Sequence, residues 1–138
     1  MHAKRLFLLT AWLVGWWLIV GLGPASGQQA PPTENKGLQS DVLATIDLGP
    51  EIDGMQGHQL RLRLITLEPG GVSGLHSHKD RPSVARVLQG TLTVYPQGGS
   101  AKEYKEGESR SEGKETTHWA ENKGTKPVVL IVGDIFKP

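Results

Sequence analysis

The chain has 138 residues, with 15 Lys and Arg against 14 Asp and Glu, which gives a formal net charge of +1 and room for one domain. It contains no cysteine, so a disulfide framework and a thiolate metal site are both excluded. Near-neutral charge without a basic block argues against electrostatic binding to nucleic acid. With 18 Gly and 9 Pro there is little room for long helices, and the expectation is a turn-rich β protein.

The first 27 residues read as an address. Lys4 and Arg5 precede an uncharged, mainly apolar run from Leu6 to Leu22, which Gly23 and Pro24 break before the small residues Ala25-Ser26-Gly27. A positive start, an apolar stretch and a small-residue cleavage site describe a secretory signal peptide. The competing reading is an uncleaved membrane anchor, because 17 residues reach the lower end of the roughly 17–25 that cross a bilayer. The Pro followed by small residues favours cleavage. Removal leaves 111 residues with 13 basic and 14 acidic groups, and Trp119 as their one tryptophan. The expectation is an exported protein, periplasmic or secreted, that meets a membrane only if residues 1–27 stay attached.

Residues 28–40, polar with a Pro-Pro pair, read as a flexible tether or a loose first strand, and residues 41–138 as the folded domain. Val42–Leu48 reads as a strand. Leu60, Leu62 and Leu64 alternate with Arg61 and Arg63, the period of a half-buried strand with its leucines inward; His58 shares their parity. Glu68-Pro69-Gly70-Gly71 reads as a turn. Val84–Gln89 and Thr91–Tyr95 are strands joined across Gly90, and the charged run Lys102–Glu115 reads as a solvated hairpin. Thr116–Glu121 and the apolar Pro127–Phe136 close the chain. Short strands at this spacing, with no sustained helical period, predict an all-β sandwich or barrel.

The residues able to carry chemistry are histidines. His76 and His78, one residue apart, leave the same face of a strand and offer two nitrogens to one point. His118 lies 40 residues later on another predicted strand. Three imidazoles with an open position suit Zn, Cu, Fe or Ni. His58 reads instead as a hydrogen-bonded core histidine. Arg86 alternates with Ser83, Ala85 and Val87 and so faces away from the histidine pair. Arg81, in the loop after His78, is the candidate substrate anchor. Trp119 must point opposite to His118. Gly107 to Lys114 fails as a phosphate loop, because its glycines are one residue too far apart and Glu115 replaces the required Ser or Thr.

The surroundings of these histidines resemble the cupin family. Its first motif, G-x5-H-x-H-x(3,4)-E-x6-G, is matched by Gly70, His76, His78, Ser83 and Gly90; its second, G-x5-P-x-G-x2-H-x3-N, by Gly107, Gly113, Glu115, His118 and Asn122. The resemblance spans roughly Leu60 to Phe136. It implies an all-β, double-stranded β-helix (jelly-roll) barrel in which His76, His78 and His118 take the family's histidine positions around a divalent transition metal: Zn, Fe, Cu, Ni or Mn. Two departures stand out. Ser83 occupies the place of the family's carboxylate ligand, and Gly113 and Glu115 replace the motif's Pro and Gly. The site is then either three-histidine or completed by another group: Asp80 and Glu115, nearby in sequence though neither at a matched position, could substitute as the ligand and are the candidate general bases. A site lacking the carboxylate is more positive by one charge and favours an anionic small molecule. Two functions follow: a metal-dependent enzyme, with oxidoreductase-type chemistry as the first guess, and a non-catalytic small-molecule or metal-binding module. The resemblance further implies a homodimer, joined through Val128–Phe136 or the N-terminal segment.

Overall fold

The computed structural model describes residues 30–138, and the residues read as a leader, 1–27, lie outside them. Eight strands form: β1 (Lys36–Asp47), β2 (Gln59–Ser77), β3 (Ser83–Gln89), β4 (Thr91–Pro96), β5 (Lys102–Lys105), β6 (Ser109–Glu112), β7 (Thr117–Glu121) and β8 (Val128–Phe136). No helix occurs among the described residues. The strands run in the ladder order β5-β4-β7-β2-β8-β3-β6, with β1 also paired to β2.

Strand β2, 19 residues long, organises the molecule. Its first part pairs with β1 and β8, and its second part with β7. It therefore belongs to two facing halves of a nearly closed barrel, one built on β8, β3 and β6 and the other on β7, β4 and β5. Glu68-Pro69-Gly70-Gly71, expected to be a turn, is instead a corner inside this continuous strand. Gly70 makes the corner with a φ of 71°, which an L side chain rarely adopts. Asn122, buried at the end of the β7 region, pins the corner down. Its backbone exchanges hydrogen bonds with Gly70 and Gly71, and its side-chain amide donates to the Leu67 and Lys126 carbonyls at 2.9 and 2.8 Å.

The core lies between the halves: Leu67, Ala85, Val87, Leu92, Val94, Ala120, Val128, Leu130 and Val132. These sit on central strands at alternate positions, so one face of each strand is apolar and buried. On β2 the inward set is Arg61, Arg63, Ile65 and Leu67, while Leu60 and Leu62 are exposed on the outer surface. The expected orientation is thus reversed. The arginines can face inward because Asp134 of β8, fully buried, accepts from Arg61 through Nε and Nη2 at 3.1 and 2.9 Å and from Arg63 Nη2 at 2.9 Å. A paired charge tolerates the interior where a lone one does not.

Of the two readings of residues 28–40, the first strand holds from Lys36 onward, since Lys36–Ser40 pair with β2, and Leu75 N–H donates to the Pro32 carbonyl at 2.7 Å. Backbone pairing at an edge needs no apolar side chains, so a polar segment serves. The charged run Lys102–Glu115 is not a hairpin: β5 pairs with β4, and β6 with β3, at opposite ends of the ladder.

Candidate metal centre

Between Ser73 and His76, β2 advances three residues while β7 advances two. The extra residue is a bulge, and it switches the inward parity of β2 from odd positions to even ones. That switch turns His76 and His78 into the barrel after Arg61, Arg63 and Leu67. His76 stands directly opposite His118 in the β2–β7 ladder. Ligand atoms of His76, His78 and His118 all lie within 4.8 Å of one another. The resemblance placed these three together; the bulge is how this chain does it.

The imidazoles are oriented from behind. The Nδ1 of His76 is 2.7 Å from the Gly74 carbonyl, and the Nδ1 of His78 is 3.2 Å from that of Arg81. A carbonyl can only accept, so each Nδ1 carries the proton and each Nε2 keeps a free lone pair, the state a metal ligand requires. Burial pushes the His76 pKa down to about 4 against the opposing hydrogen bond to Gly74, and burial lowers His78 as well. Both rings are neutral at pH 7. The Nε2 atoms of His78 and His118 are 3.0 Å apart, the separation of two nitrogens each about 2.1 Å from one ion at a right angle. The donor set therefore fits a divalent transition metal.

The carboxylate at the centre is one the motif comparison did not single out. Glu112, at the end of β6, is buried, with Oε1 2.8 Å from His118 Nε2 and Oε2 3.3 Å from His78 Nε2. It accepts from the Ser83 hydroxyl at 2.5 Å and pairs with Arg110. Burial alone would raise its pKa, but the hydrogen bond from His118, the Arg110 charge and the Ser83 hydroxyl outweigh burial and hold it at about 2. A signal was present in the sequence: Ser109-Arg110-Ser111-Glu112 alternates with period two, which puts Arg110 and Glu112 on one face. Asp80 and Glu115, the carboxylates expected nearby, do not reach the centre. Glu115 is 89 % exposed beside Lys114, and Asp80 lies in the exposed loop after His78.

The histidines form one wall of a cavity of about 370 Å³ whose floor is the apolar core, including Leu67, Leu92 and Leu130. Its charged lining is Arg63, Arg81, Arg110 and Glu112. Arg63 is tied to Asp134 and Arg110 to Glu112, whereas Arg81 has no carboxylate partner among the described residues. The N-terminal segment completes the rim. Thr33 and Asn35 line the cavity, and Asn35 Oδ1 accepts from Gly74 N–H at 2.9 Å. Gly74 is required there, because a Cβ at that position would come within 2.6 Å of the Thr33 carbonyl oxygen. Outside the barrel, Trp119 points away from His118, as expected, and stacks on Tyr95 with ring centroids 3.8 Å apart. Arg86 is exposed and faces away from the centre. His58 precedes β2, half-buried and outside the cavity, and its buried Nδ1 has no partner among the described residues, so the hydrogen-bonded core histidine expected there does not form.

No curated protein matches the chain. Among solved structures it is similar to the cupin domain of Schizosaccharomyces pombe Cnp3 (TM-score 0.57, 13% identity), covering 74% of this chain and 63% of that one. It is also similar to KdgF from Halomonas sp. (TM-score 0.55, 18% identity, 73% and 84% covered). A third likeness is to a protein of Thermotoga maritima described as a predicted oxalate decarboxylase (TM-score 0.57, 16% identity, 78% and 94% covered). These likenesses concern the fold. The cupin domain model matches residues 63–133, from the arginine strand through both motifs to β8, and the chain belongs to the cupin family.

Proposed function

We propose that the protein is an exported cupin, periplasmic or secreted, that holds a divalent transition metal through His76, His78 and His118 and takes a small organic anion into the adjoining cavity. The observation that carries this reading is the convergence of three imidazoles on one point in a cavity wall, two of them oriented by backbone carbonyls. Such an ion supplies Lewis-acid polarisation of a ligand oxygen. The anion class is supported by three guanidinium groups against one carboxylate in the lining. Arg81, unpaired, and Arg63, whose Nε is buried without a partner, are positioned to receive it. With Glu112 at the centre, the anion preference comes from these arginines and not from a missing carboxylate. Oxidoreductase-type chemistry on that anion is the leading activity. The second reading, a non-catalytic binding module, is favoured by one observation: Glu112 is the one carboxylate lining the cavity, and its oxygens are already committed to Ser83, Arg110 and the histidines.

Export rests on the order of charged, apolar and small residues in 1–27. A homodimer is supported by an exposed apolar stripe across the outer face of β1, β2, β8 and β3, where Ile46 pairs with Leu60 and Leu60 with Ile135, and Leu62 with Gly133 and Gly133 with Val84.

The test is metal content by mass spectrometry on protein purified without chelator after expression of the full chain, beside His76→Ala and His118→Ala. Near-stoichiometric metal in the wild type, lost in both variants while each stays folded, is the expected result. A folded wild type that holds no metal and takes up none when supplied would overturn the reading.

A further inference from the structure

We propose that Glu112 is the fourth protein ligand of this centre: the carboxylate that the family motif places at position 83 has moved across the β3–β6 ladder to the residue facing it. The inference rests on the three-histidine reading and adds a ligand that neither motif contains.

Ser83 and Glu112 are register partners. Side chains directly opposite in an antiparallel pair leave the same face with their Cβ atoms about 4.5–5.5 Å apart, so a carboxylate on either strand serves nearly the same volume. Glu112 enters that volume from β6, and its oxygens stand 2.8 and 3.3 Å from the Nε2 atoms of His118 and His78. On His78 that edge is left free for an ion, because its Nδ1 faces the Arg81 carbonyl; on His118 it is the edge that meets Glu112, with Arg110 Nη2 at 3.4 Å, while Nδ1 has no partner among the described residues. A residue serving only as counterion to Arg110 needs one oxygen directed at the guanidinium; Glu112 turns both toward the histidines. Ser83, poor as a ligand, donates to Oε2 and fixes the rotation of the carboxylate, while Arg110 holds Oε1. Three nitrogens and one anionic oxygen accept Mn²⁺ or Fe²⁺ more readily than three nitrogens alone.

The test is calorimetric titration with Mn²⁺ and with Zn²⁺ on protein from the full chain, for wild type, Glu112→Gln and the exchanged pair Ser83→Glu/Glu112→Ser, with thermal melts confirming that each is folded. Glu112→Gln should weaken Mn²⁺ at least about tenfold, and weaken it more than Zn²⁺. The exchanged pair should recover Mn²⁺ affinity to within about threefold of wild type, since it returns the carboxylate to the facing position. The greater loss for Mn²⁺ than for Zn²⁺ in Glu112→Gln is a result that a merely structural role for Glu112 does not give. Unchanged Mn²⁺ affinity in Glu112→Gln overturns the proposal, as does an exchanged pair that is folded yet no better than Glu112→Gln. A wild type that binds neither ion defeats the three-histidine reading itself, and the fourth ligand with it.

Discussion

Ser83 and Glu112 face each other across two antiparallel strands, and the hydroxyl of one donates to the carboxylate of the other at 2.5 Å. The pair shows how a family position can lose its carboxylate without the site losing one. Glu112 brings to the histidines the carboxylate that serine at position 83 lacks, from another strand and shared with Arg110.

Acid should weaken the metal-free protein in two overlapping steps. His76 is held at about 4 against 6.5 in the unfolded chain, so between those values the unfolded state binds a proton the folded state refuses. His78 is shifted the same way. Glu112, at about 2 against 4.5, is ionised when folded where it is protonated when unfolded, and its contribution is lost as pH falls through that window. All three act with one sign, so urea midpoints should fall steadily below pH 6.5. His76→Asn should flatten the upper part of that fall and leave the part below 4.5 in place. A midpoint that rises on acidification would contradict the assignment.

Asn122→Ala should destabilise the fold by about 2–3 kcal/mol, measured by urea unfolding. The substitution strips the buried Leu67 carbonyl and the Lys126 carbonyl of their donor and frees the corner of β2. Because that corner lies in β2 six residues before His76, metal affinity should drop with it.

Asp134→Asn should cost about 3–5 kcal/mol, since it leaves Arg61 and Arg63 largely buried without a counter-charge. The expected thermal melt is shifted well below wild type. Replacing Arg61 as well should recover part of the loss, because one fewer positive charge is then unpaired.

Sedimentation should find the wild type dimeric and Leu62→Lys/Val84→Lys monomeric, with metal content unchanged. Both side chains lie on the outer stripe and neither lines the histidine cavity. A monomeric wild type would remove the stripe from consideration as a contact between copies.

The histidines were legible in the sequence because an H-x-H spacing fixes a shared face whatever the strand packs against. The face of β2 was not. A period of two at Leu60–Leu64 announces alternation but leaves open which set is inside, and the answer came from Asp134, 73 residues beyond Arg61. Glu112 was hidden by the same reasoning: charges alternating within Lys102–Glu115 look like a solvated surface. Its burial depends on β6 pairing with β3 and not with β5, a long-range choice that no local pattern encodes. Strands β3, β4, β7 and β8, bounded by Gly and Pro, fell close to where punctuation put them.

Strand β6 is the last in the ladder, joined to β3 by four residue pairs, with no strand on its other side among the described residues. Yet its terminal residue touches His118 on β7, four places away in strand order and on the opposite half of the barrel. An ion gripped by both would work as a clasp, fastening a free edge to the far side by coordination where no ladder reaches. Loading the metal should then slow amide exchange in Ser109–Glu112 more than in the core. The empty protein, its clasp undone, becomes the form with an edge open to another chain.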